Sequence, residues 1–130
     1  MSDDLPPILL VEEDRTLLDI TAFRLELLGY QVERQESAEK ALDWLREQMP
    51  SLIIVDQVLP GMDGTELINR LSNDLRTSEI PVMLLSTNAD LEDVQKAYNA
   101  GADEYLVIPY DPMVLEAKVE RLTSTVSARQ

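Results

Sequence analysis

Carboxylates dominate the residues of this chain that could do chemistry. Glu12-Glu13-Asp14 follows the apolar stretch Ile8–Val11, Asp56 follows Leu52–Val55, and the hydroxyls Ser86 and Thr87 follow Pro81–Leu85. Each group ends a short aliphatic stretch, so parallel strands would deliver all of them to one edge of a sheet. Acids crowded at such an edge repel, by about 4 kcal/mol per pair at ~4 Å and an effective dielectric of about 20. A hard divalent cation with oxygen ligands, Mg²⁺ above all, resolves that repulsion. A carboxylate beside such an ion can attack a phosphoryl group and hold it as an acyl phosphate. The Ser86 hydroxyl could then donate to a transferred phosphoryl oxygen. The plainer alternatives are a solvated acidic turn for Glu12 and Glu13, and a backbone contact at a strand end for Ser86.

Other chemistries are excluded by composition. The 130 residues include no cysteine and no histidine, which removes disulfides, thiolate and imidazole metal sites, and the Ser-His-Asp class. Neither a dinucleotide fingerprint GxGxxG nor a P-loop GxxxxGK[ST] is present. No apolar run is long enough to span a membrane, and the first residues lack the pattern of a signal peptide, so a cytoplasmic location is expected. The formal net charge is −14, from 25 acids against 11 bases. Such a surface repels nucleic-acid backbones. It serves solubility or selects a basic partner, and composition does not separate the two.

The elements that must position these groups read as strand and helix in alternation. Strands are expected at Ile8–Val11, Tyr30–Gln35, Leu52–Val55, Pro81–Leu85 and Tyr105–Ile108, the buried ones as continuous aliphatic runs. Helices are expected over 15–28, 38–48, 64–75, 90–99 and from Asp111-Pro112 onward. Gly29 suits the residue past a helix end that needs positive φ. Ser37 is an N-cap, Asp90 with Asp93 a capping box, and Asp111 an N-cap followed by proline at the first helical position. Leu91, Val94 and Tyr98 are the expected inward face of the fourth helix, and the methionines are packing residues. Ser124–Gln130, polar throughout, is expected to fray, leaving a single domain over 1–130 with a core of about 7–124. Five βα units imply a parallel sheet with helices on both faces, and the functional crevice of such a sheet lies beyond the carboxyl ends of its strands.

The residues Ile8-Leu-Leu-Val-Glu-Glu-Asp14, Val55-Asp56-Gln-Val-Leu-Pro-Gly-Met-Asp-Gly64, Leu85-Ser86 and Gly101-Ala-Asp-Glu-Tyr-Leu-Val-Ile-Pro109 resemble the motifs of bacterial response-regulator receiver domains, in order and spacing, over nearly the whole chain. The resemblance implies a flavodoxin-like doubly wound α/β fold with strand order 2-1-3-4-5 and a phosphodonor that is a histidine kinase or phosphotransfer protein. It implies Asp56 as phosphoacceptor, and Mg²⁺ held by Glu12, Glu13, Asp56 and the backbone carbonyl of Val58. It further implies Ser86 as switch hydroxyl and Tyr105 as switch aromatic. Signalling would pass through protein contacts, with a homodimer through the face of helix four, strand five and helix five as one form. Two positions depart from the pattern. Glu13 stands where an aspartate is usual, and Ile108 stands where a lysine is nearly universal. Arg15 is the nearest base in sequence that could replace that lysine. These departures keep a second reading open, an interaction module with the fold but without phosphate-driven switching. No aspartate lies two residues after Asp56, so a phosphatase is a distant third. With no output segment recognised in the chain, its effect is expected to be exerted through another protein, unless the chain is cut from a longer one.

Overall fold

Alternation of the strand side chains between the two buried faces of the sheet organises the molecule. The structure, a computed structural model, describes residues 5–128. Its elements are β1 (Ile8–Val11), α1 (Arg15–Leu27), β2 (Val32–Gln35), α2 (Ala38–Leu45), β3 (Leu52–Asp56), α3 (Gly64–Ser72), β4 (Val82–Ser86), α4 (Leu91–Ala100), β5 (Glu104–Val107) and α5 (Pro112–Ala128). The strands form one parallel sheet in the order β2-β1-β3-β4-β5, the flavodoxin-like arrangement expected. Leu9, Val11, Ile53 and Val55 point to one face and pack beneath α2, α3 and α4. Ile8, Leu10, Leu52 and Ile54 point to the other, beneath α1 and α5. Both faces are buried, which is why these strands read as unbroken aliphatic runs rather than alternating ones.

Local signals set most element ends. Asp14, Ser37 and Asp63 each accept a backbone N–H three residues on, at 3.1, 3.1 and 2.9 Å, and so cap α1, α2 and α3. Asp111 accepts from the amide of Met113 at 2.8 Å where α5 begins. Gly29 follows α1 with φ of 99°, a conformation most residues avoid.

Four expectations need correction. Helices α2 and α3 end at Leu45 and Ser72, short of Gln48 and Leu75, and Leu75 is almost fully exposed. Asp90 precedes α4 but makes no side-chain cap bond. The inward face of α4 is Ala97 with Val94, while Leu91 and Tyr98 are exposed. The small Ala97 side chain lets the helix sit close to the sheet, and that contact sets the helix phase. Of the methionines, Met83 is buried, but Met49 and Met113 are exposed. Helix α5 runs to Ala128; the expected fraying falls in part on Arg129 and Gln130, which lie outside the described residues. Among the described residues no helix is long and apolar enough to cross a membrane.

Candidate functional site

β1 and β3 are hydrogen-bonded neighbours with Val11 opposite Val55, so the residues that follow, Glu12 and Asp56, emerge side by side. Both are buried, at 2% and 5% relative exposure. Glu12 Oε2 accepts from the amide of Asp14 at 3.1 Å. Its Oε1 is buried and faces no donor. Burial first, then contact with the carboxyl of Asp56, pushes the Glu12 carboxyl up to about 9. As a carboxylic acid Glu12 can donate to Asp56; as a carboxylate its Oε1 is stranded, and a buried charge without partners is costly. Only a proton or a cation relieves the pair.

Asp56 is held from the other side by its own loop. Its Oδ1 accepts from the amide of Val58 at 2.7 Å. Gln57 ties that loop to α3, its Oε1 accepting from the Thr65 amide at 3.0 Å and the Thr65 hydroxyl at 2.6 Å. Gly64 completes the junction. A Cβ there would lie 2.4 Å from the carbonyl oxygen of Asp56 and 2.9 Å from the Gln57 Cα. Only glycine lets α3 begin so close to the strand that carries Asp56.

Ser86, the last residue of β4, is buried, and its Oγ accepts from the Asn88 amide at 3.1 Å. Tyr105 is buried with its hydroxyl donating to the Asn88 carbonyl at 2.6 Å. The Asn88 side chain donates to the Asp93 carboxylate. Ser86, Tyr105 and the start of α4 are thus joined through one loop residue. Ser86 and Tyr105 also line a cavity of about 440 Å³ with Gln57, Val58 and Lys96.

The structure does not gather every candidate. Glu13 is exposed, and among the described residues no three acidic side chains come together as a metal-holding group. Adjacent residues at a strand end point apart, so only one of the two glutamates can face Asp56. Arg15 is drawn away to Glu36 at 2.9 Å. Ile108 lies one residue beyond the end of β5 rather than inside it, before a cis bond to Pro109. It packs against the apolar cluster beneath α1 and α5. Sequence reasoning missed Gln57, Asn88 and Lys96. Gln57 had a signal, its place directly after Asp56; Asn88 acts through its backbone, which no residue type announces.

Known proteins give the same picture from another direction. The family model for the response regulator receiver domain matches residues 8–120. The transcriptional regulatory protein AfsQ1 of Streptomyces coelicolor is 37% identical over 88% of this chain and 50% of its own length. The phosphate regulon transcriptional regulatory protein PhoB of Escherichia coli is 32% identical over 92% of this chain and 52% of its own. This chain therefore spans about half the length of these curated relatives. A CheY-like response regulator receiver domain protein from Methanospirillum hungatei superimposes with a TM-score of 0.89, at 30% identity, covering 98% of this chain and all of that one.

Proposed function

The chain belongs to the response regulator receiver domain family, and from that premise we propose that Asp56 is its phosphoacceptor. A receiver is a signalling module of two-component systems, one that accepts phosphate rather than turning over a substrate, and its membership implies a histidine kinase as partner. The observation that carries the assignment is the placement of Asp56. It is a buried carboxylate at the carboxyl end of a central strand, beside a second carboxyl and with one oxygen held by a backbone amide. The other oxygen is the nucleophile.

The family typically uses Mg²⁺, and the donor set here suits it. Glu12 and Asp56 offer hard oxygens, and the stranded Glu12 Oε1 is the kind of atom a cation satisfies. Val58 would add its backbone carbonyl, and exposed Glu13 its charge at the rim. Bound there, the ion would offset the charge of the carboxylates and of the incoming phosphoryl oxygens. Ser86 takes a bond from Asn88 at its oxygen, which leaves its own proton to donate to a phosphoryl oxygen. Movement of Ser86 would disturb Asn88 and through it Tyr105, carrying the event to the face of α4, β5 and α5. On this reading residues 1–130 act as one receiver unit, phosphorylated by a histidine kinase or phosphotransfer protein and acting through protein contacts, a homodimer through that face being one form.

A second reading has one observation in its favour. Ile108 is packed into apolar surroundings where the family carries a lysine, as expected of an interaction module that has given up switching. Incubation with Mg²⁺ and acetyl phosphate, followed by intact mass measurement, separates the two. A phosphoryl mass gained by the wild type and absent from Asp56→Asn is the expected result. No gain in the folded wild-type protein makes the interaction module the better description.

A further inference from the structure

A phosphoryl group on Asp56 would bring its negative charge next to Glu12, in a chain with 25 acids and 11 bases. Fixed cations facing the transferred group are the main source of rate in phosphoryl transfer. The bases of this molecule are mostly committed elsewhere. Arg15 pairs with Glu36, Arg34 with Asp19 and Glu26, and Lys118 and Arg121 both with Glu104. Lys40, Arg70 and Lys96 stand in no ion pair among the described residues, and of these Lys96 is the one that lines the cavity beside Ser86. From α4 it lines the cavity of about 440 Å³ together with Ser86, Val58, Gln57 and the acids Asp63 and Asp93, and it is the basic residue of that lining. Its obvious partner would be Asp93, one turn earlier on the same helix. The Asp93 carboxylate instead accepts from the side chain of Asn88, and no ion pair holds Lys96 among the described residues.

We infer that Lys96 is the cation that meets the phosphoryl group on Asp56. The inference rests on the assignment of Asp56 as acceptor and adds a residue that lies outside the sequence motifs. A lysine suits the task, since its flexible four-carbon stem carries a compact charge that can swing from solvent into the cavity. In the transfer, an Asp56 oxygen bonds to phosphorus as the bond from phosphorus to the donor oxygen of acetyl phosphate breaks, and that electron pair leaves with acetate. Lys96 stays protonated and forms no covalent bond; it offsets the charge on the equatorial oxygens. Because Lys96 belongs to α4, its attraction to the phosphoryl group also draws that helix toward the site, which gives phosphorylation a mechanical connection to a signalling face.

The test compares wild type, Lys96→Gln and Lys96→Arg. The side chain is exposed, so both replacements should fold, and equal melting temperatures confirm it. With Mg²⁺ and acetyl phosphate, Lys96→Gln should acquire phosphate at least about tenfold more slowly than wild type, a modest share of the ~10²–10³ that a buried transition-state donor contributes. Lys96→Arg should keep most of the rate, which a purely structural role would not require. Lysine ammonium NMR signals should show Lys96 shifting when beryllofluoride binds as a phosphoryl mimic. A phosphorylated wild type matched in rate by Lys96→Gln, with no Lys96 shift, overturns the role of Lys96 and leaves Asp56 standing. A wild type that takes neither phosphate nor beryllofluoride overturns both.

Discussion

The Tyr105 hydroxyl donates to the backbone carbonyl of Asn88 at 2.6 Å, and Asn88 in turn reaches Ser86 through its amide and Asp93 through its side chain. A strand, a loop and a helix meet at this one residue. Tyr105→Phe removes the bond while keeping the ring in the core. A net loss of about 1 kcal/mol is expected, since an exposed loop carbonyl can turn to water. Thermal unfolding measures it, and an unchanged melting temperature would mean that the bond adds nothing.

Glu12 makes stability fall with rising pH in metal-free protein. Its carboxyl is raised from 4.5 to about 9 by burial and by Asp56, so between those values the folded state holds a proton that the unfolded state has released. This contribution is complete below the ordinary carboxylate range and lost as pH climbs toward 9. Denaturant titrations in chelator from pH 4.5 to 9 should show the decline. Glu12→Gln should flatten it, and a wild-type profile as flat as the variant's would refute the buried-pair geometry.

Asp56→Asn should stabilise the protein in chelator by on the order of 1 kcal/mol, because it removes one charge of the pair and offers an amide donor toward the stranded Glu12 oxygen. Millimolar Mg²⁺ should then favour the wild type, since a ligand at 100 times its dissociation constant stabilises by about 2.7 kcal/mol. Calorimetry on both proteins, with and without the ion, reads the crossover. Mg²⁺ that stabilises the two equally is bound somewhere else.

Gly64→Ala should lower stability by about 1–3 kcal/mol, the usual range for forcing a methyl into filled space. The added Cβ meets backbone on the Asp56 side, so α3 must retreat from β3. Slower phosphorylation should accompany the loss. Full stability in this variant would show that the junction has slack.

Ile108→Lys sets two effects against each other. The new ammonium would enter surroundings packed by Tyr110 and the apolar cluster beneath α1 and α5, which lowers the melting temperature. If it reaches the site it speeds phosphorylation by acetyl phosphate and enlarges the NMR response around Tyr105. Gain of rate with some loss of stability is the expected pair of results. A normally folded variant with neither gain shows a site that has diverged beyond this one residue.

The alternation of strands and helices, the caps at Ser37 and Asp111, and the placing of Asp56 at a strand end were all legible in the chain. Each depends on neighbours within one turn or one strand. The choice between Glu12 and Glu13 was not. β1 is buried on both faces, so no polar alternation marks which way its last residues point, and only pairing with β3 brings Glu12 against Asp56. The inward face of α4 also escaped, because several of its residues are apolar and contact with the sheet selects Ala97. Ile108 left the strand at a boundary that apolar character does not mark. Lys96 lies 40 positions from Asp56 in the chain, and the two sides of the crevice meet only because β4 pairs with β3 and leads into α4. Composition and periodicity report what each residue is and which local element it joins; which charge faces which is decided by long-range packing alone.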